Sequence, residues 1–199
     1  MFPFIKQTPL IAKWRLNRIK LIMLCGFTIS TYLLASSGYI HAKALLAQVL
    51  IKEAWIQAKA TGEAHPPWSW ADTYPVAKIT LLDKNFYLLA GATGRTLAFG
   101  PGHMSSTPLP GKGGNTVIAG HRDTHFANLA NITIGDIIKV ETRVGQFNYQ
   151  VTNVNVVNEQ NMAVTAPTIE DTLTLITCFP FDAIAPNTTW RYVVTAALI

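Results

Sequence analysis

Leu173-Thr174-Leu175-Ile176-Thr177-Cys178 runs directly into Phe179-Pro180-Phe181. The first six residues, mixed apolar and β-branched, read as a strand. Pro180 has no N–H to give to a ladder and ends the pairing. The thiol of Cys178 is therefore carried where a rigid strand hands over to a loop, a place where the sheet can hold a reactive group in position. A thiol near neutral pH is a poor nucleophile unless a base or cation lies nearby to supply thiolate. Free cysteine is also among the most buried residue types, so this stretch taken alone favours a core thiol.

Working outward from it, the chain beyond Pro75 is a series of short β-type runs: Val76–Leu82, Phe86–Ala90, Thr116–His121, Ile137–Glu141, Phe147–Val157, Leu173–Cys178 and Trp190–Ala197. All are rich in Val, Ile, Thr, Tyr and Phe, and turn residues separate them. Gly100–Gly114 holds five glycines and three prolines and reads as a loop. The only helical sign in this part is a turn near Phe126–Leu129. Seven or eight short strands over this length predict a mainly β domain, a closed barrel or a sandwich.

Two further strand ends carry chemically capable side chains. Thr116-Val117-Ile118-Ala119-Gly120-His121 is an apolar strand ending in Gly-His, and imidazole is the side chain best suited to exchange protons near neutral pH. His121 and His125 stand four apart, but Arg122 occupies the place where a helical zinc motif needs Glu, and the preceding residues read as strand. No metal site is expected. In Trp190-Arg191-Tyr192-Val193-Val194, strand alternation puts Arg191, Val193 and Thr195 on one face. An arginine there must meet a carboxylate, for which Asp171 and Asp182 are candidates, or face a ligand site. Its permanent charge suits it to a developing oxyanion.

The N-terminal part is of another kind. Hydrophobic residues make up 49% of the 199 and charged residues 14%, a composition that excludes disorder and points to a segment outside water. Leu21–Ile40 is 20 residues without a charge, long enough to cross the hydrocarbon core. Arg15, Arg18 and Lys20 precede it, which predicts a cytoplasmic N-terminus and an extracytoplasmic domain. Ala42-Lys43-Ala44 has the form of a signal-peptidase site, but the apolar core is longer than a signal h-region and the basic arm is long, so a retained anchor is expected. Ala42–Ala60 reads as a helical stalk with Leu45, Leu46, Val49, Leu50, Trp55 and Ile56 as its apolar side, stopped by Thr61-Gly62. The expected organisation is a basic arm (1–20), an anchor (21–40), a stalk (41–66) and a β-barrel domain carrying the candidate site residues (67–199).

The net charge of +5 belongs to the N-terminal arm: the first 60 residues hold eight Lys or Arg against Glu53 alone, and the remainder holds eight against ten acidic residues. Nucleic-acid binding is therefore not expected, since it needs the basic patch on the folded domain. Cys25 lies in the apolar segment, which makes a disulfide with Cys178 geometrically implausible.

Gly-His at one strand end, Thr-Cys at another and Arg on the next strand together make a pattern that resembles the sortase family. Leu173–Cys178 is similar to the family's T-L-x-T-C strand. Pro67–Ile79, Leu89–His103 and Gly114–Leu129 resemble a subgroup from Gram-negative proteobacteria, the class GN sortases. The resemblance implies a single eight-stranded sortase-type β-barrel. It implies that Cys178 attacks the scissile carbonyl of a C-terminal sorting signal of the LPxTG type to form a thioester. His121 would serve the leaving and incoming amines, Arg191 would hold the substrate backbone and oxyanion, and Thr177 would be a minor substrate contact. The implied partners are a substrate protein bearing the signal and an amine acceptor, with no cofactor, and the implied location is the inner membrane with the domain in the periplasm. Papain-type enzymes place their Cys early, on a helix, and L,D-transpeptidases show Ser-x-Gly-Cys; neither fits Ile176-Thr177-Cys178. The rival of another class is a non-enzymatic anchored β-domain that binds a surface partner, with Cys178 as core filler.

Overall fold

The computed structural model describes residues 9–184 and 188–199. The chain forms two compact units, Met1–Leu46 and Ala47–Ile199. Helix α1 (Pro9–Thr61) supplies all the described structure of the first unit. Leu21, Ile22, Met23, Leu24, Phe27, Leu33 and Leu34 are all exposed on it, an amount of bare apolar surface that lipid accommodates and water does not. The hydroxyls of Thr28, Ser30 and Thr31 donate back to the carbonyls of Cys25, Gly26 and Phe27 within the helix, the internal satisfaction that a membrane-crossing helix needs. The stretch Asn17–Thr61 is long and apolar enough to cross a membrane, and is a candidate anchor.

The second unit is a closed eight-stranded barrel. Its strands are β1 (Pro75–Leu81), β2 (Lys84–Ala90), β3 (Gly102–His103), β4 (Asn115–Ala119), β5 (Ile137–Thr142), β6 (Gln146–Asn158), β7 (Thr172–Phe179) and β8 (Trp190–Leu198). Around the barrel they run β1-β2-β3-β4-β7-β8-β6-β5, and β5 pairs back onto β1. The β2–β3 and β4–β7 pairs are parallel and the others antiparallel. Alternate residues fill the interior: Ile79 and Leu81 from β1, Ile138 and Val140 from β5, Tyr149 and Val151 from β6, Leu173 and Leu175 from β7, Val194 and Ala196 from β8. Each buried Leu, Ile or Val contributes about 1.5–3 kcal/mol. Closure gives every strand two neighbours, with the two-residue β3 covering only Leu89 and Ala90 of β2 and Ile118 and Ala119 of β4.

Two sequence expectations are corrected here. The Gly/Pro stretch 100–114 contains strand β3, which pairs with Ala90 on one side and Ile118 on the other. It is too short for a period-2 pattern to register, and Gly102 is obligatory because a Cβ would lie 2.3 Å from the Gly91 carbonyl oxygen. Of the stalk's expected apolar side Trp55 is buried, but the rest of the buried face is not the one its leucines suggest. Ala47, Ile51, Ala54, Trp55 and Ala58 are buried, at helical spacing, while Leu45, Leu46, Val49 and Ile56 are exposed. Small alanines let the helix approach closely, and Trp55 and Ile51 supply the buried area. Gly62, at φ +76°, ends the helix with its N–H on the Ala58 carbonyl (3.0 Å).

Trp55→Ala is expected to lower the unfolding free energy of the barrel unit by about 3–5 kcal/mol, whereas Ile56→Ala changes it by no more than about 0.5 kcal/mol. Denaturant melts of the detergent-solubilised chain measure both.

Candidate active site

The site is built by strand register. Cys178 on β7 and Arg191 on β8 are direct partners in the antiparallel ladder, so their side chains leave the same face, with Cβ atoms about 4.5–5.5 Å apart by general sheet geometry. Leu173 and Leu175 point into the core, so alternation along the unbroken β7 ladder turns Cys178 to the outer face of the barrel. On the other side of β7, β4 runs parallel, with Ala119 opposite Ile176. The ladder continues one step past β4, with the Gly120 N–H donating to the Ile176 carbonyl at 3.1 Å. The next residue on each chain is then His121 and Cys178. Three residues far apart in sequence thus come to one end of three neighbouring strands, with Cys178 half-buried, Arg191 half-buried and His121 exposed.

Thr177 is buried between the two strand ends. It is 2% exposed and its hydroxyl donates to the Gly120 carbonyl at 2.7 Å. This bond makes Thr177 a strut between the two strand ends that carry the thiol and the imidazole. Gly120 itself is required by packing, since a Cβ there would stand 2.7 Å from the ring of the fully buried Phe126. The Phe126 N–H in turn donates to the His121 carbonyl (3.0 Å), which closes the turn.

Arg191 has a carboxylate partner, and it is neither Asp171 nor Asp182. Its Nη2 pairs with Glu159 Oε2 at 2.6 Å, and its Nη1 donates to the carbonyls of Thr188 (2.5 Å) and Trp190 (3.0 Å). Nε–H and one Nη2–H have no acceptor among the described residues. Asp171 lies at the opposite end of β7, where it accepts from the Tyr149 hydroxyl (2.8 Å) and the Gly113 N–H (3.1 Å). Glu159 opens the β6–β7 connection, whose 3-10 turn at Met162–Thr165 is held to the barrel by Asn115: its Nδ2 donates to the Val164 and Ala166 carbonyls (3.1 and 3.0 Å). Asn115 Oδ1 accepts from the Thr174 hydroxyl at 2.7 Å.

Sequence reasoning missed Glu159 and also Arg122. Arg122, next to His121, is buried with its guanidinium on the carbonyls of Pro180 and Ala183 (2.8 and 2.6 Å). The available signal was its place directly after the Gly-His pair. Beyond Cys178, the rings of Phe179, Phe181 and Tyr192 form a mutual cluster with centroids 5.1–6.2 Å apart. Burial pushes the Tyr192 hydroxyl above its ordinary pKa.

His125 lies in the same turn as His121, with its ring edge-on to Phe86 (centroids 5.9 Å apart). Burial lowers its pKa, and repulsion from His121 lowers it further. His103 on β3 is lowered by burial too, against the opposing effect of its hydrogen bonds to the Pro108 carbonyl and Thr107. In both cases the unfolded chain binds the proton more readily than the folded one. Stability is therefore highest above the unfolded value of 6.5 and falls as the pH drops through and below it. The melting temperature is expected to be lower at pH 5.5 than at pH 7.5, and His125→Phe is expected to remove part of that difference. Thermal melts of the two proteins across this range measure it.

A model of the Sortase domain family matches residues 77–199. Sortase D of Bacillus subtilis (strain 168) is 26% identical over 120 residues, which cover 60% of this chain and 60% of that protein. Among solved structures, the Clostridium perfringens Sortase D5 transpeptidase superposes with a TM-score of 0.61 at 27% identity, over 77% of this chain and 96% of that one. Sortase A from Corynebacterium diphtheriae gives a TM-score of 0.59 at 31% identity, over 65% of this chain and 63% of that one. With the family's model matched along most of the barrel, and solved sortases sharing its closed eight-stranded architecture, the chain belongs to the sortase family.

Proposed function

We propose that the chain is a membrane-anchored cysteine transpeptidase that cleaves a C-terminal sorting signal of the LPxTG type and passes the acyl group to an amine. The observation that carries this reading is the direct cross-strand pairing of Cys178 with Arg191 at the strand end next to His121. In the first half-reaction the Cys178 thiolate attacks the scissile carbonyl carbon, and the electron pair moves to the oxygen. The Nε–H and the second Nη2–H of Arg191, which have no acceptor among the described residues, are the donors suited to that oxyanion and to the substrate backbone. The C–N bond then breaks, the leaving amine takes a proton from His121, and a thioester remains on Cys178. In the second half-reaction the acceptor amine attacks the thioester, gives a proton to His121 and restores the thiolate.

The subgroup reading, class GN, rests on the long matching stretches 67–79, 89–103 and 114–129. It goes with an inner-membrane location, a single span, the N-terminus inside and the barrel in the periplasm. The basic residues Arg15, Arg18 and Lys20 before the apolar helix support that orientation.

Incubation with a sorting-signal peptide and no amine is expected to add the acyl fragment to Cys178, visible by mass spectrometry as a hydroxylamine-labile adduct. Cys178→Ala is expected to bind the peptide but carry no adduct, and Arg191→Lys to slow acylation by about 10²–10³-fold. A wild-type protein that binds a partner and never acquires the adduct is instead a non-enzymatic surface domain.

A further inference from the structure

We propose that Arg122 is a positioning residue of this centre: its buried guanidinium ties the turn carrying His121 to the segment leaving Cys178, and so sets the spacing of imidazole and thiol. The proposal rests on the transpeptidase reading and adds a residue to it.

The need for such a tie comes from the ladder. The β4–β7 pairing ends with the Gly120 N–H on Ile176 and the Thr177 hydroxyl on Gly120. His121 and Cys178 lie one residue beyond, where the two chains part. His121 enters a turn closed by the Phe126 N–H on its carbonyl, and β7 stops at Phe179, before a proline that cannot donate. Backbone pairing between β4 and β7 therefore stops short of His121 and Cys178, although β7 stays paired with β8 through Cys178 and Arg191, and a side chain has to carry the β4–β7 register further.

Arg122 has the chemistry for it. Its side chain is 3% exposed. Nη1 donates to the Pro180 carbonyl at 2.8 Å and Nη2 to the Ala183 carbonyl at 2.6 Å, two and five residues past the thiol. The Ala183 N–H points back to the Pro180 carbonyl (3.4 Å), so the guanidinium spans the mouth of a turn. Nε donates to Asp123 Oδ1 at 3.2 Å, which brings a carboxylate to a cation removed from water. A planar fork reaching two carbonyls holds both distance and orientation, which a single ammonium cannot reproduce. Since misplacing a reacting group by about 1 Å can cost 10²-fold in rate, a tie at this point acts directly on catalysis.

The test uses the full-length protein in detergent, with wild type, Arg122→Lys, Arg122→Gln, His121→Ala and the double variant His121→Ala/Arg122→Lys. The readouts are the acylation rate, the KM for a sorting-signal peptide and the melting temperature. Arg122→Lys is expected to melt cooperatively, to keep its KM and to lose about 10²-fold in kcat. In the His121→Ala background the same substitution is expected to cost no further rate, because the spacing it protects no longer matters. An unchanged kcat in Arg122→Lys overturns the proposal, as does an equal loss with and without His121. Loss of the folded state in both Arg122→Lys and Arg122→Gln also overturns it, by making Arg122 a residue of the fold. A wild type that never forms the thioester sinks the transpeptidase reading itself, and this role with it.

Discussion

The rest of the site depends on the parallel pairing of β4 with β7, closed at its end by the Thr177 hydroxyl on the Gly120 carbonyl. Parallel neighbours cannot be joined by a tight turn. Here β5 and β6 intervene in the chain, and the barrel carries them to the far side of β8 and β1. Residues more than fifty positions apart thereby become adjacent. The entropy of closing so long a loop rises only slowly with its length, and the interior apolar residues of the two strands, Ile118, Leu173 and Leu175, help offset it.

Each end of the barrel is finished with buried polar groups that have partners. At the end bearing Cys178 these are Thr177 and Arg122, both bonded to carbonyls of the departing chains. At the other end the Tyr149 hydroxyl, in the core, accepts from the Gly111 N–H and donates to Asp171, which also accepts from Gly113. Gly111 sits at φ +77°, with the Phe147 ring 2.1 Å from where its Cβ would be. A buried polar group left unpaired is costly, and one that is paired to a loop backbone holds that loop in one place. The loops of this barrel are therefore shaped by a few side chains, while the strands are held by regular ladders and core packing.

Arg191 shows how charge is managed on the outer face. A guanidinium on the same face as the thiol would be free to wander without a partner, and Glu159 with the Thr188 and Trp190 carbonyls holds it on three sides. Glu159 comes from the β6–β7 connection, so that connection and the arginine are linked. The pair is partly exposed, with side chains 27% and 43% accessible, and solvent screening keeps its contribution to stability small. Its effect is on where the guanidinium points.

Much of this was open to reading along the chain. The uncharged 20 residues of the candidate anchor, the period-2 runs of the barrel and the three capable side chains near strand ends are local patterns, and local patterns are what a linear sequence carries. Tertiary structure decided what those patterns meet. The stalk buries Ala47, Ile51, Ala54 and Ala58 beside Trp55 and leaves leucines outside, because the fit of a helix against a barrel depends on close approach as well as hydrophobicity. Strand β3 exists only because β2 and β4 flank it. Thr177, Glu159 and Arg122 take their places through bonds to carbonyls and a carboxylate supplied by distant segments, and a backbone carbonyl leaves no mark in a sequence to say which side chain will find it.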